Sequence, residues 1–130
     1  MATIRKEFDV AASADAIWDA LKDIGALHTR LAPGFVVNTT LRGNVRTVTF
    51  GNGMVVEETI IGVDDAQRRI AYTAAAEQLT HHSASAQVFD LGGGKSRFVW
   101  IADLLPDAAA ETIDQMMSAG AEAMKAAAER

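Results

Sequence analysis

The sequence predicts an α+β protein with helices near the two ends of the chain and antiparallel strands between them. Three observations support this prediction: a short helical pattern after the first strand, six consecutive segments rich in valine, threonine and isoleucine, and a long helical pattern at the C-terminus. A long helix beside an antiparallel meander covers one face of the sheet. Residues 1–130 are expected to form one domain, since this length supports a single core.

The N-terminal segment is predicted to be a strand followed by one or two short helices. Apolar and charged side chains alternate from Thr3 to Val10, a period of about two that is typical of a strand. Ser13 has the position of a helix N-cap, and Gly25 marks the end of that helix. A second helix through residues 27–31 ends before Pro33-Gly34. The apolar face of the first helix consists of Ile17, Trp18, Leu21 and Ile24.

The central part of the chain is predicted to contain six strands. Valine, threonine, isoleucine and phenylalanine recur in short runs separated by glycine or aspartate, which is typical of successive antiparallel strands. With the first strand, the pattern predicts seven strands in all. The six segments are residues 35–42, 45–50, 54–63, 69–76, 81–90 and 96–104.

The C-terminal part is predicted to be one long helix. After Pro106 the apolar residues take helical spacing, Asp107 has the position of the N-cap, and the pattern runs to about Glu129. One stripe of this helix carries Ile113, Met116, Met117, Gly120 and Met124.

The composition excludes several classes of function. The formal net charge of −5 disfavours binding to nucleic-acid phosphates and to anionic membrane surfaces. The absence of cysteine excludes disulfides, thiolate metal sites and cysteine nucleophiles. His28, His81 and His82 have no acidic residue at ligand spacing on the same element, so neither a metal nor a cofactor is expected. No signal peptide or long apolar run is found, and we expect a cytoplasmic protein without stable membrane association.

A hairpin in the middle of the chain predicts an inward-facing charge pair. If Gly51-Asn52-Gly53 is a three-residue loop, it fixes the register of the two strands that it joins. The register that buries the larger apolar side chains is favoured, because the other leaves Phe50 in water. The expected pairs are Phe50 with Met54, Val48 with Val56, and Arg46 with Glu58.

The polar residues among these segments have two interpretations each. Arg46 and Glu58 are either a structural bridge near the sheet rim, partly solvated, or an anchor for a ligand. Strand alternation turns His82 inward, where it could act as a general acid or base, but it could also begin an edge strand in contact with water. Tyr72 and Trp100 are expected on the inner face, either as ordinary core residues or as cavity residues whose phenol and indole need hydrogen-bond partners.

The chain resembles the START-like superfamily, and within it the bacterial polyketide cyclase/dehydrase-like (SRPBCC) proteins. The resemblance covers nearly the whole chain and rests on the order of elements together with Ile17–Leu21, Asn44–Val48, Glu58–Asp65 and the Trp100 strand before the long helix. It implies a helix-grip fold, in which a curved seven-stranded antiparallel sheet wraps around the C-terminal helix and a ligand cavity lies between them. Members of the superfamily bind or act on hydrophobic, often aromatic or polycyclic, small molecules.

Plant abscisic-acid receptors share the pattern of an arginine strand, a glycine turn and a glutamate strand. In these receptors the glutamate that matches Glu58 lies in the ligand cavity. The lysine that grips the hormone carboxylate aligns with Val37 here, so recognition of an acid by that route is not expected.

The favoured function is binding of a small hydrophobic molecule, aromatic, polyketide-like or lipid-like. The alternative is a cyclase or dehydratase in which Arg46 stabilises an enolate and Glu58 or His82 moves a proton. A module that binds only other proteins is a third alternative, and the chain could also form a homodimer. The expected ligand-binding residues are Val37, Arg46, Val48, Phe50, Met54, Val56, Glu58, Tyr72, His82, Ala84, Trp100, Ile113, Met117 and Gly120.

The 25 alanines predict empty space in the core. Many of those on the last helix serve helix propensity. Others are expected to point into the concave face of the sheet, where a solid core would have larger side chains. The void is expected beneath the last helix, at the end of the sheet opposite the bulky aromatic residues. The inward alanines are Ala74, Ala76, Ala84, Ala86 and Ala102.

Overall fold

The computed structural model describes residues 1–130 and contains one seven-stranded antiparallel sheet. The strand order is β1-β7-β6-β5-β4-β3-β2. Strands β2 to β7 therefore form a continuous meander, and the last strand, β7, pairs with the first, β1. The strands are β1 Ala2–Val10, β2 Val36–Arg42, β3 Val45–Phe50, β4 Val55–Asp64, β5 Arg69–Ala75, β6 His81–Gly92 and β7 Lys95–Leu105. The helices are α1 Ala14–Lys22, a five-residue π-helix Leu27–Leu31, a 3₁₀ turn Asp107–Ala109 and α2 Ala110–Ala128. This is the helix-grip architecture that the resemblance implies, and the predicted fold class is confirmed.

The first helix closes one end of the concave sheet face. The Ser13 hydroxyl accepts a hydrogen bond from the Ala16 amide at 3.2 Å, which satisfies one free N–H of the first turn. Trp18 is buried, and its Nε1 donates to Oδ1 of Asp65 in the β4–β5 turn at 2.9 Å. The helix is therefore fixed to the sheet by apolar burial and by one directed hydrogen bond.

The last helix packs across the concave face with the predicted stripe inward. Ile113, Met117, Gly120 and Met124 are buried at spacings of four, three and four residues. Two lysines hold its outer side to β1, because Lys6 Nζ lies 2.7 Å from an oxygen of Asp114 and Lys125 Nζ donates to the Asp9 carbonyl at 2.7 Å.

The predicted N-cap at Asp107 is wrong. Pro106 precedes the first turn, no side chain caps the helix, and the Ala109 amide donates to the Pro106 carbonyl at 3.0 Å. Asp107 lies inside the 3₁₀ turn, and its carboxylate pairs with the Met1 amino group at 3.0 Å. The tighter turn shifts the start of the α-helix to Ala110.

Strand register agrees with the predicted alternation. Arg46 pairs with Glu58 and Val48 with Val56, as the three-residue loop requires. On β6 and β7 most of the inward set is buried, with His82 and Trp100 half-buried, whereas Val99 of the outward set is also buried. No helix of the structure combines the length and the apolar character needed to cross a membrane.

Candidate functional site

A cavity of about 90 Å³ lies between the concave face of the sheet and α2. Of the 24 residues that line it, 21 are hydrophobic, and the other three are Arg46, Glu58 and His82. These are the three residues that the sequence singled out for polar chemistry. Ten of the fourteen expected binding residues reach the cavity wall: Arg46, Phe50, Met54, Val56, Glu58, Tyr72, His82, Trp100, Ile113 and Met117. Their part in binding stays a prediction.

The placement of Val37 in the site is wrong. A β-bulge interrupts the pairing of β2 with β3 between Val36 and Asn38. Val36 turns inward and is fully buried, whereas Val37 is 53% exposed on the outer side. The alignment with the receptor lysine therefore does not bring Val37 to the cavity, because the bulge adds one residue to β2 and leaves Val37 on the outer face.

Three other expected site residues lie on the inner side without lining the cavity. Val48 and Ala84 are buried among core side chains. Gly120 accommodates aromatic rings, because a Cβ at this position would lie 2.9 Å from Cε2 of Phe35 and 3.1 Å from Cζ3 of Trp100. These residues pack behind the side chains that line the cavity.

One wall of the cavity was missed from the sequence. It comes from α1, the π-helix, the turn that follows and the first residue of β2. Their apolar residues show the spacing of ordinary core positions, so only the packing of these short helices against the sheet assigns them to a cavity. The lining residues of this wall are Leu21, Leu27, Leu31, Ala32, Phe35 and Val36.

The alanines do open space beneath α2, but the predicted position of that space is wrong. Ala74, Ala76 and Ala86 line the cavity together with the aromatic residues, whereas the void was expected at the opposite end of the sheet. The cross-strand pairs explain this, since Ala86 stands opposite Trp100. A small residue opposite a large ring leaves room for the ring itself.

Arg46 and Glu58 form a buried ion pair on the cavity wall. Nε and Nη2 of Arg46 both lie 2.8 Å from Oε1 of Glu58, and Nη1 donates to the Ile24 carbonyl at 3.2 Å. The guanidinium carbon also lies 5.4 Å from the centre of the Tyr72 ring, within the range of a cation–π contact. The side chains are only 4% and 10% exposed, so the expectation of a partly solvated bridge is wrong.

Tyr72 and Trp100 form a hydrogen bond that satisfies the indole N–H but leaves the phenol O–H without an acceptor. Nε1 of Trp100 donates to the Tyr72 hydroxyl oxygen at 2.9 Å. Burial, and after it the charge of Glu58, raises the pKa of Tyr72. The phenol therefore keeps its proton at any physiological pH, and that proton has no acceptor in the protein.

His82 is a partly buried imidazole at the same wall. Its ring centre lies 6.4 Å from that of Tyr72, and its Nδ1 is buried without a hydrogen-bond partner. Burial lowers the pKa of His82, which outweighs the opposing effect of Glu58. The imidazole is therefore neutral at pH 7 and can accept or donate one proton within the cavity.

The sequence matches the family described as "Polyketide cyclase / dehydrase and lipid transport" over residues 1–129. The chain belongs to this family. Comparison with curated protein sequences finds no significant match. No group of three or more histidine, cysteine, aspartate or glutamate side chains is arranged to hold a metal ion.

Several solved structures have the same fold as this chain. An uncharacterized protein from Bacillus thuringiensis matches with a TM-score of 0.86 at 18% identity, over 97% of this chain and 98% of that chain. A START superfamily protein from Mycobacterium smegmatis matches with a TM-score of 0.71 at 15% identity, over 96% and 92%. Norcoclaurine synthase from Thalictrum matches with a TM-score of 0.71 at 22% identity, over 96% and 92%. Identities this low establish a common fold.

Proposed function

We propose that the protein binds a small hydrophobic molecule in the cavity between the sheet and α2. The observation that carries this proposal is the composition of the wall, in which 21 of 24 residues are hydrophobic and the three polar ones are Arg46, Glu58 and His82. Apolar pockets with few polar groups are typical of small-molecule sites. Membership of a family described by cyclisation, dehydration and lipid transport supports the same class of ligand.

The size of the cavity implies that it adapts to its ligand. Its volume of about 90 Å³ is smaller than the ~150 Å³ of an engineered cavity that binds benzene. The wall includes Met54, Met116, Met117 and Met124, whose unbranched side chains change shape at low cost. We therefore expect these methionines to move aside when an aromatic or acyl group enters.

A thermal-shift screen with small aromatic and acyl compounds tests the proposal. A ligand that binds only the folded state raises the melting temperature in proportion to the logarithm of its concentration above Kd. Binding is then located by fluorescence in a Trp18→Phe variant, which leaves the cavity residue Trp100 as the only tryptophan. A panel in which no compound raises the melting temperature or changes the Trp100 emission would contradict the proposal.

Catalysis at the same site is the second candidate. The neutral His82, with its unpartnered Nδ1, favours it, since a neutral imidazole beside a bound carbonyl can accept or donate a proton. Glu58 would be the second proton-transfer group, whereas the charge of Arg46 is already compensated by Glu58. This alternative would be supported if His82→Gln still binds the ligand but no longer turns over a cyclisation or dehydration substrate. Unchanged turnover would show that His82 has no part in catalysis.

A further inference from the structure

Glu58 brings an acceptor without a donor to the polar part of the cavity wall. Both close contacts from Arg46 reach Oε1 of Glu58, and no protein group donates to Oε2. Glu58 lines the cavity and its Oε2 is not among the fully occluded atoms without a partner. A carboxylate oxygen accepts about two hydrogen bonds. Oε2 therefore presents unused acceptor capacity to the cavity.

Tyr72 brings a donor without an acceptor to the same wall. The Tyr72 oxygen accepts from Trp100, but its own O–H has no acceptor in the protein. Glu58 pairs with Ala74 across β4 and β5, which makes Tyr72 its diagonal neighbour, at roughly 7–8 Å between backbones. Ala74 carries only a methyl group, so space is left beside the carboxylate. Ala74 therefore leaves room for a polar group of the ligand beside Glu58, on the side of Tyr72.

The charges of the wall disfavour an ionic ligand. Arg46 has a partner at each of its three nitrogens, and its charge is balanced by Glu58, so the pair has no net charge. His82 adds none at neutral pH. A carboxylate that gave up its hydration would meet Oε2 of Glu58 and no free cation. An ammonium at Oε2 would place a second positive charge beside the guanidinium and give the buried wall a net charge. A neutral group that donates one hydrogen bond and accepts one satisfies Oε2 of Glu58 and the Tyr72 O–H together.

We propose that the ligand is an uncharged alcohol or phenol, whose hydroxyl donates to Oε2 of Glu58 and accepts from the Tyr72 O–H while its apolar body lies against Trp100 and Met117. This inference rests on the proposed function and narrows the ligand to a chemical class. It also changes the role of Arg46, which orients Glu58 and is not itself the anchor.

Four compounds of similar shape test the inference on the wild-type protein at pH 7: p-cresol, 4-methylanisole, toluene and 4-methylbenzoate. 4-Methylanisole replaces the O–H donor by a methyl ether, toluene lacks the polar group, and 4-methylbenzoate is an anion. By calorimetric titration we expect p-cresol to bind about tenfold more tightly than either neutral analogue, the effect of one hydrogen bond to a charged group. 4-Methylbenzoate is expected to bind most weakly.

The outcomes separate this inference from the proposed function. If toluene or 4-methylanisole binds as tightly as p-cresol, or 4-methylbenzoate binds best, the hydroxyl inference is overturned while the hydrophobic site stands. If none of the four compounds binds, the proposed function is overturned and the inference falls with it.

Two variants test the place of the hydroxyl. Ala74→Leu fills the space beside Glu58, and Ala75→Leu is the matched control because Ala75 is exposed on the other face of the same strand. We expect p-cresol affinity to fall about tenfold in Ala74→Leu only. Tyr72→Phe, which keeps the ring and removes only the donor to the ligand oxygen, is expected to reduce the preference for p-cresol over toluene. Equal p-cresol affinity in the two leucine variants, or an unchanged preference in Tyr72→Phe, would overturn the proposed position.

Discussion

Removing one member of the Arg46–Glu58 pair is expected to be among the most damaging substitutions in the chain. Arg46→Met keeps a side chain of similar length and removes the charge, both contacts to Glu58 and the contact to the Ile24 carbonyl. The carboxylate of Glu58 then remains in a position that is only 10% exposed, with no counter-charge.

The magnitude follows from the geometry. With about 4 Å between charge centres and an effective dielectric constant of about 20, the attraction is about 4 kcal/mol. Its loss leaves the desolvation of Glu58 uncompensated, and breaking buried pairs in this way costs about 3–5 kcal/mol. That is a large part of the roughly 5–15 kcal/mol by which a domain is stable.

Urea denaturation followed by circular dichroism measures this loss, and two further variants interpret it. The double variant Arg46→Met/Glu58→Leu removes both charges, and we expect it to recover most of the stability, because a well-packed apolar pair can replace a buried ion pair. Arg97→Met is the surface control, since the Arg97–Asp9 pair is exposed and should lose far less.

Two results would refute this reasoning. A loss below about 1 kcal/mol in Arg46→Met would mean that Glu58 stays hydrated. Additive losses in the double variant would mean that the two side chains do not interact, and the inward register of the β3–β4 hairpin would then be wrong.

Three further predictions concern pH, packing and the bulge. Because burial lowers the pKa of His82, the unfolded state takes up the imidazole proton at a higher pH than the folded state, and the free energy of unfolding should fall as the pH falls below about 6.5. The decrease should be smaller in His82→Gln. Equal pH profiles for the two proteins would contradict this. Gly120→Ala should lower the melting temperature although helix propensity alone favours it by about 1 kcal/mol, because its Cβ would clash with Phe35; a higher melting temperature would count against the close packing. In urea denaturation, Val36→Ala should lower the free energy of unfolding by about 2 kcal/mol and Val37→Ala by less than about 0.5 kcal/mol. The reverse order would mean that the bulge is misplaced.

The register of the hairpin was predictable because local chemistry determines it. A three-residue loop and a period of two leave two choices for Arg46 and Glu58, and the burial of Phe50 and Val48 selects one. The helix stripe from Ile113 to Met124 was predictable for a similar reason, since one amphipathic period covers the whole helix.

Other features depend on contacts that no local pattern encodes. The bulge before Asn38 reverses the parity of β2, and no glycine or proline marks it in the sequence. The position of the void depends on which alanine lies opposite which ring, as with Ala86 and Trp100. The cavity wall from α1 and the π-helix depends on how two short helices pack against a distant strand.

The central claim is that a hydrophobic molecule occupies the cavity, and the methionine methyl groups report on it most directly. The chain has five methionines, of which four line the cavity, whereas Met1 is 66% exposed at the N-terminus and serves as an internal control. In ¹³C-methyl methionine spectra recorded during titration with p-cresol, we expect the four cavity methyls to shift with a single common Kd while Met1 stays in place. A shift confined to Met1, or no saturable shift at the cavity methyls, would contradict the account. The four cavity methionines are Met54, Met116, Met117 and Met124.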